Sequence, residues 1–394
     1  MITIILICFA SAWFIRDAIQ RHTYQRRLRS VPIRVHVNGI RGKSSLTRYI
    51  TTILREEGYK VFAKTTGTAA RIIDNLGGEM AIHRQGKPNI SEQRKIMTYF
   101  LEQKPDAVIV ECMAITPRYS EYLENKIMDS NIYIFSNIFI DHVDQLGGSV
   151  EEIAESMCIG FPTNATIITA ESNPDVLRIL KINALKKNSR LINANEIDYR
   201  LNEINGFNHV PVENNIKLSL AFASLMNIKR ERVLSSIKNC NLDEGQSGIK
   251  KIPHPIRDIQ FANFFAVNDT NSFESMVKNS IKIYPSHQHC IILNNRIDRY
   301  ERTNLFLKSI LRLNIRYIVA LGECGHQVAV FCQSHNIEHL RLDKDIDEAR
   351  LLNGKDLIDC MISFIPGYSD VMLIGAVNIH SAQSHNLLKY VNSL

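Results

Sequence analysis

Apolar positions in this chain recur in two periods that alternate along its length, and the alternation predicts strands followed by helices. Arg34-Val35-His36-Val37 alternates like a half-buried strand. Leu46, Tyr49, Ile50 and Ile53 then fall at helical spacing over residues 45–57, and Gly58 stops that helix. Residues 59–63 form a short strand, and 89–103 a helix opened by Ser91. Residues 107–110 and 131–135 are continuous apolar runs, the pattern of parallel strands buried on both faces. Helical patterns follow at 151–157, 216–225 and 229–239, before a polar, glycine-containing stretch at 243–248. Beyond it, apolar runs at 261–267, 290–293, 317–321 and 371–374 alternate with helical segments. The order predicts an α/β protein of two domains: a larger one with a parallel sheet at 31–245, and a smaller Rossmann-like one at 246–394.

Between the first strand and the first helix lies Asn38-Gly39-Ile40-Arg41-Gly42-Lys43-Ser44-Ser45. Glycines at a strand-to-helix turn let successive N–H groups and the helix N-terminus converge on one anion. Only the shorter Gly-x-x-Gly-Lys-Ser form of the phosphate loop is present, because Val37 stands where the longer pattern has its first glycine. In such a loop Lys43 reaches the outer phosphates of a nucleotide and the Ser44 hydroxyl holds Mg²⁺, with Gly39, Arg41, Gly42 and Ser45 completing the cradle. Residues 64–68 form a hydroxyl-rich turn.

Composition changes the picture at the N-terminus. Residues 2–15 are nearly all apolar and are followed by Arg16, Arg21, Arg26, Arg27 and Arg29. The run is short beside the roughly 20 residues of a full span, but Trp13 suits a membrane interface. With the charges after the run, residues 1–30 read as an uncleaved membrane anchor and basic linker, the catalytic body lying on the cytoplasmic side of a bacterial inner membrane. A packed or amphipathic first helix is the other reading. The net charge of +7 over 394 residues is modest, and no basic tract with interleaved aromatics argues for nucleic acid. The 8 cysteines are scattered with no Cys-x-x-Cys pair, which argues against a disulfide framework or a zinc site and for a reducing compartment, and no thiol stands out as a nucleophile.

Two later strands end in polar clusters. Glu111-Cys112-Met113 follows 107–110, and Ser136-Asn137-Ile138-Phe139-Ile140-Asp141-His142-Val143-Asp144 follows 131–135. Ligands of open parallel sheets gather at the carboxyl ends of strands, so the loop, Glu111 and His142 converge on one edge. A carboxylate and an imidazole there suit a metal beside the γ-phosphate.

This set of motifs resembles the Mur-ligase superfamily of ATP-dependent amide ligases. The wording Val37-Asn38-Gly39-Ile40-Arg41-Gly42-Lys43-Ser44, Lys64-Thr65-Thr66-Gly67-Thr68, Glu111-Cys112-Met113-Ala114 and Gly375-x-x-Asn378-Ile379-His380 is similar to the ATPase/ligase subunit of poly-γ-glutamate synthases of the PgsB/CapB type. The resemblance implies a Mur-ligase-like ATP-binding domain, with Lys43 and Ser44 on Mg²⁺-ATP and Ser44, Glu111 and His142 positioning metal. It also implies Asn215 at the adenine, and Asp269 of the C-terminal domain facing the nucleotide. Two features depart from the superfamily: no lysine lies in 151–157, where a carbamylated one is usual, and the Asp-Pro-Gly-rich turn is altered to Asp243-Glu244-Gly245-Gln246-Ser247-Gly248.

The implied reaction joins glutamate units through γ-linked amide bonds by way of an acyl phosphate. Arg296 and Arg299, after an apolar strand, offer guanidinium forks for a phosphate or carboxylate; surface ion pairs are the plainer reading of each. In the resemblance, domain closure brings one of them to the substrates. The implied partners are glutamate, the growing polymer and small membrane proteins of the same capsule synthase and export complex. Self-association into a homo-oligomer and the enantiomer of glutamate stay open. The rival from another class is a membrane-tethered P-loop ATPase that drives or gates an export complex without making a bond.

Overall fold

The structure, a computed structural model, describes residues 2–66, 70–83, 89–140, 142–200, 203, 207, 209, 211–240, 248–267, 269–347, 352–378 and 381–394. Gly67, Thr68, Asp141, the turn residues Asp243 to Ser247, Asn268, Ile379 and His380 lie outside the described residues. The chain divides into two compact units, Met1–Tyr199 with Asn214–Cys240, and Arg200–Glu213 with Asn241–Leu394.

The first unit is built on an eight-stranded sheet: β1 (Ile33–Asn38), β2 (Val61–Lys64), β3 (Arg71–Ile73), β4 (Glu79–Ala81), β5 (Ala107–Glu111), β6 (Ile132–Phe135), β7 (Thr166–Thr169) and β8 (Arg190–Asn193), in the order β4-β3-β2-β5-β1-β6-β7-β8. From β2 to β8 the pairing is parallel, with β1 between β5 and β6. That central place puts the loop after β1 at the carboxyl edge, flanked by the ends of β5 and β6. The apolar run of β5 is buried throughout, as a strand covered on both faces requires. The β3–β4 hairpin is antiparallel and was not legible in the pattern, because β4 is an exposed edge strand with no apolar face. An ion pair between buried Arg48 and Glu79 ties it to the helix after the loop, α2 (Lys43–Glu56).

The N-terminal segment needs correction in one respect: the basic stretch read as a linker is helical. A single helix, α1, spans Ile2–Arg29. Its last turns pack into the core: Leu28 is buried, Tyr24 Oη donates to Ile127 O at 2.8 Å, and the Arg94 guanidinium lies 3.7 Å from the centre of the Tyr24 ring. The basic stretch therefore belongs to a docked helix. Among the described residues no helix is long and apolar enough to cross a membrane. A second correction concerns the helix α3 (Ile90–Glu102): its N-cap is Asn89, whose side chain accepts the Glu92 N–H, and Ser91 donates to that same Asn89 oxygen.

The second unit has a six-stranded sheet ordered β13-β12-β11-β14-β10-β9, from β9 (Ile249–Ile252), β10 (Ile259–Phe264), β11 (Gln288–Asn295), β12 (Tyr317–Gly322), β13 (Glu338–Arg341) and β14 (Val371–Ala376). It is parallel except for the edge strand β9, which runs antiparallel to β10. Apolar clusters cover both faces. His209, bridged to Gly248, is buried, and burial pushes its imidazole down to about 4. The unfolded ring titrates near 6.5, so below that pH the unfolded chain takes up the proton first. The resulting stabilisation is complete above about pH 6.5 and is lost as pH falls towards 4, by at most about 3 kcal/mol. Urea midpoints at pH 7 and pH 5 should therefore differ less in His209→Gln than in the native chain; equal differences would remove this assignment.

Candidate active site

β1 ends at Asn38 and α2 begins at Lys43, so four residues must turn the chain. Gly39 (φ 128°) and Gly42 (φ 81°) do this in the left-handed region where side chains are strained. Space also demands glycine: a Cβ on Gly39 would lie 2.0 Å from Ser136 Oγ, and one on Gly42 would lie 2.9 Å from Asn215 Oδ1.

The segment after β6 holds the loop from the side. Asn137 takes the Arg41 N–H on its Oδ1 at 2.9 Å and returns its Nδ2–H to Arg41 O at 3.1 Å. Its backbone oxygen accepts the Ile40 N–H at 3.1 Å, and Ser136 Oγ donates to Arg41 O at 2.7 Å. Glu171, buried at the end of β7, accepts from Ile138 N, Ser172 N and Asn173 N and so fixes that segment in turn. The sequence signal for Glu171 is the one that marked Glu111, a carboxylate just past an apolar strand.

Lys43 folds back over the loop, with Nζ donating to Gly39 O at 2.7 Å and to Ile40 O at 3.2 Å. These are neutral acceptors, and an anionic phosphate oxygen would draw the ammonium more strongly. Ser44 Oγ donates to Glu111 Oε2 at 2.8 Å, and the same oxygen takes the Thr66 N–H at 2.7 Å. The predicted neighbours Ser44 and Glu111 thus meet, although 67 residues separate them. Their oxygens are hard donors of the kind Mg²⁺ prefers.

His142 and Asn215 are the other predicted residues of this unit. His142 is exposed at the N-cap of a one-turn helix, Val143–Leu146, with φ 50°. Among the described residues no group of three or more His, Cys, Asp or Glu could hold a metal ion. Asn215, in the first turn of the helix Glu213–Leu225, places its Nδ2 3.3 Å from Gly42 O, and its buried Oδ1 has no hydrogen-bond partner. Its side chain therefore touches the phosphate loop itself.

In the second unit, Asp269 is an N-cap, accepting the Ser272 N–H at 2.8 Å ahead of the helix Thr270–Ile283. Arg296 forks onto Asp298 at 2.9 and 2.7 Å. The Arg299 N–H donates to Arg296 O at the start of the helix Tyr300–Arg312. These contacts are local to each turn.

Behind the loop, the buried Cys112 thiol has an imidazole and an ammonium as charged neighbours. His36, fully buried in β1, lies 2.7 Å through Nδ1 from Glu124 Oε2. Burial alone would push the buried Cys112 thiol up, but the His36 imidazole and the Lys43 ammonium hold it below its ordinary range. Glu124 belongs to a π-helical turn, Leu123–Met128. Nothing in the sequence links residues 36, 112 and 124; the parallel pairing of β1 with β5, continued by the Cys112 N–H on Val37 O at 2.8 Å, brings the first two together, and the π-helical turn brings the third.

The chain has relatives among known proteins. Residues 37–224 match the Mur ligase middle domain, and residues 249–394 match the poly-gamma-glutamate synthase CapB C-terminal domain. The chain is 31% identical over 382 residues to PGA synthase CapB of Bacillus subtilis, covering 96% of this chain and 95% of that one. It is also 31% identical over 367 residues to the capsule biosynthesis protein CapB of Bacillus anthracis, covering 92% and 77%. Among solved structures it resembles Mycobacterium tuberculosis folylpolyglutamate synthase complexed with ADP, with a TM-score of 0.61 at 13% identity over 93% of this chain and 92% of that one. That degree of likeness concerns the fold.

Proposed function

The chain belongs to the CapB family of poly-γ-glutamate synthases, built around a Mur-ligase middle domain, and from that premise we infer an ATP-dependent ligase that polymerises glutamate through γ-linked amide bonds. The observation that carries the reading to this chain's own atoms is the Gly39–Ser44 loop with Ser44 Oγ on buried Glu111. The loop glycines and Lys43 would receive the phosphates of ATP. Ser44 and Glu111 would hold a Mg²⁺ ion, which would neutralise phosphate charge.

In this reading a glutamate γ-carboxylate attacks the γ-phosphorus of ATP, and ADP leaves. The amine of a second glutamate then attacks the acyl phosphate, loses a proton and expels phosphate, leaving the amide. Lys43 would follow the charge that develops on the transferred group, and Asn137 would keep the loop in place while it does. Attachment to the bacterial inner membrane through the apolar run 2–15, and delivery of the polymer to small membrane partners, are parts of the same proposal.

Washed membranes and the soluble fraction of cells producing the chain, with and without those membrane partners, provide the test. Mg²⁺-ATP is supplied with L- or D-glutamate. Phosphate release stimulated by one enantiomer, with ADP and not AMP as product, is the expected result. Release indifferent to both would favour the tethered ATPase. Activity confined to the soluble fraction would remove membrane attachment and leave the ligase reading standing.

A further inference from the structure

Behind the phosphate loop lies a fully buried tyrosine with no place in the reaction described above. Tyr133, in β6, pairs directly with His36 of β1 in the parallel ladder, and the two rings meet edge to face at 5.2 Å and 83°. His36 is held from its other side by Glu124, whose Oε1 also takes both the Ser130 N–H at 2.7 Å and the Ser130 hydroxyl at 2.8 Å. With the carboxylate so occupied, His36 Nδ1 carries the hydrogen and the imidazole plane is fixed. The ring of Tyr133 therefore rests on a surface that cannot rotate.

Its hydroxyl faces the loop. Asn38 Nδ2 donates to Tyr133 Oη at 2.7 Å, and Asn38 Oδ1 accepts the Gly39 N–H at 2.8 Å. A backbone N–H can only donate, so Gly39 determines which end of the Asn38 amide turns towards it. The NH₂ end must then find an acceptor among buried groups, and Tyr133 Oη supplies it. Gly39 is also the residue whose carbonyl receives Lys43 Nζ. A π-helical turn inserted against a strand is a frequent mark of a functional site, and here it supplies Glu124.

We propose that Tyr133, held in place by the His36–Glu124 pair, is a positioning residue for nucleotide binding: through Asn38 it fixes Gly39, and with it the mouth of the phosphate loop and the resting place of Lys43. The inference rests on the reading of residues 39–44 as an ATP phosphate site. Tyr133 touches neither phosphate nor Lys43; it acts only through Asn38.

The test uses the full chain and a fluorescent ATP analogue, Mg²⁺-mantATP, at a temperature where circular dichroism shows every variant folded. Tyr133→Phe removes one hydroxyl and keeps the ring. It should weaken binding about three- to tenfold, the worth of one buried hydrogen bond. In turnover assays KM for ATP should rise by a similar factor while KM for glutamate stays unchanged. In an Asn38→Ala background the same Tyr133→Phe change should alter affinity by less than about twofold, because the connection to Gly39 is already cut. Unchanged affinity in Tyr133→Phe, or an equal loss with and without Asn38, would overturn the proposal. A native chain that fails to bind Mg²⁺-mantATP at all would overturn the phosphate-site reading and this inference with it, an outcome distinct from native binding with an unaltered variant.

Discussion

Lys43→Ala is expected to lower ATP turnover by about 10²- to 10³-fold, the usual consequence of removing a charged group aimed at a transferring phosphoryl. The fold should survive. Among the described residues the Lys43 ammonium bonds to the Gly39 and Ile40 carbonyls, its residue is half-buried, and water can replace it there. The loop is meanwhile clamped by Asn137, Ser136 and Asn215, none of which depends on Lys43. Phosphate release and a thermal melt on the same preparation make the comparison. Retained turnover in a folded variant would remove residues 39–44 from the phosphate site. A Lys43→Arg variant should recover little, since the bulkier planar guanidinium cannot take the place of a compact ammonium.

Glu111 should separate chemistry from stability through two substitutions. Its Oε2 serves Ser44 Oγ and the Thr66 N–H in a buried setting. Glu111→Gln keeps an oxygen that can accept from either donor but removes the charge. It should remain folded and lose turnover by about 10²-fold, with more Mg²⁺ needed for half-maximal rate. Glu111→Ala loses both acceptors and leaves the buried Thr66 N–H unpaired, a cost of about 1–3 kcal/mol, so it should also melt earlier. Equal turnover in Glu111→Gln and the native chain, over a Mg²⁺ titration, would show that the carboxylate's charge plays no part in the chemistry.

These two residues differ in how they could be found. Lys43 is legible because strand, glycine turn and helix are consecutive, and hydrophobic period and turn chemistry are local properties of a chain. The apolar runs of β1, β5, β6, β10, β11, β12 and β14 were legible for the same reason. Glu111 could be placed at the right edge of the sheet by the rule for parallel strands, but its contact with Ser44 could not.

Residues with two local readings were harder. Arg296 lies after an apolar strand, which suggested a phosphate or carboxylate contact, and Asp269 was placed by the resemblance; in the structure the first forks onto Asp298 and the second caps a helix. Short polar motifs serve caps and ligands alike, and sequence has no means of separating them. β4 and β9 were missed because an exposed or edge strand carries no strict apolar alternation.

By itself, then, the sequence determined the two α/β units and the strand, glycine turn and helix that carry Lys43, since each depends on residues a few positions apart. Only the tertiary structure decided that Asn137 grips Arg41, that Asn215 lies on Gly42, and that Glu124, His36, Tyr133 and Asn38 line up behind Gly39. Apart from the adjacent Asn38–Gly39 bond, those contacts join residues 88 to 173 positions apart. The ones between β1 and β6 and their ends exist because parallel pairing places β1 between β5 and β6, and that register, unlike a helical period, is written in no single stretch of the chain.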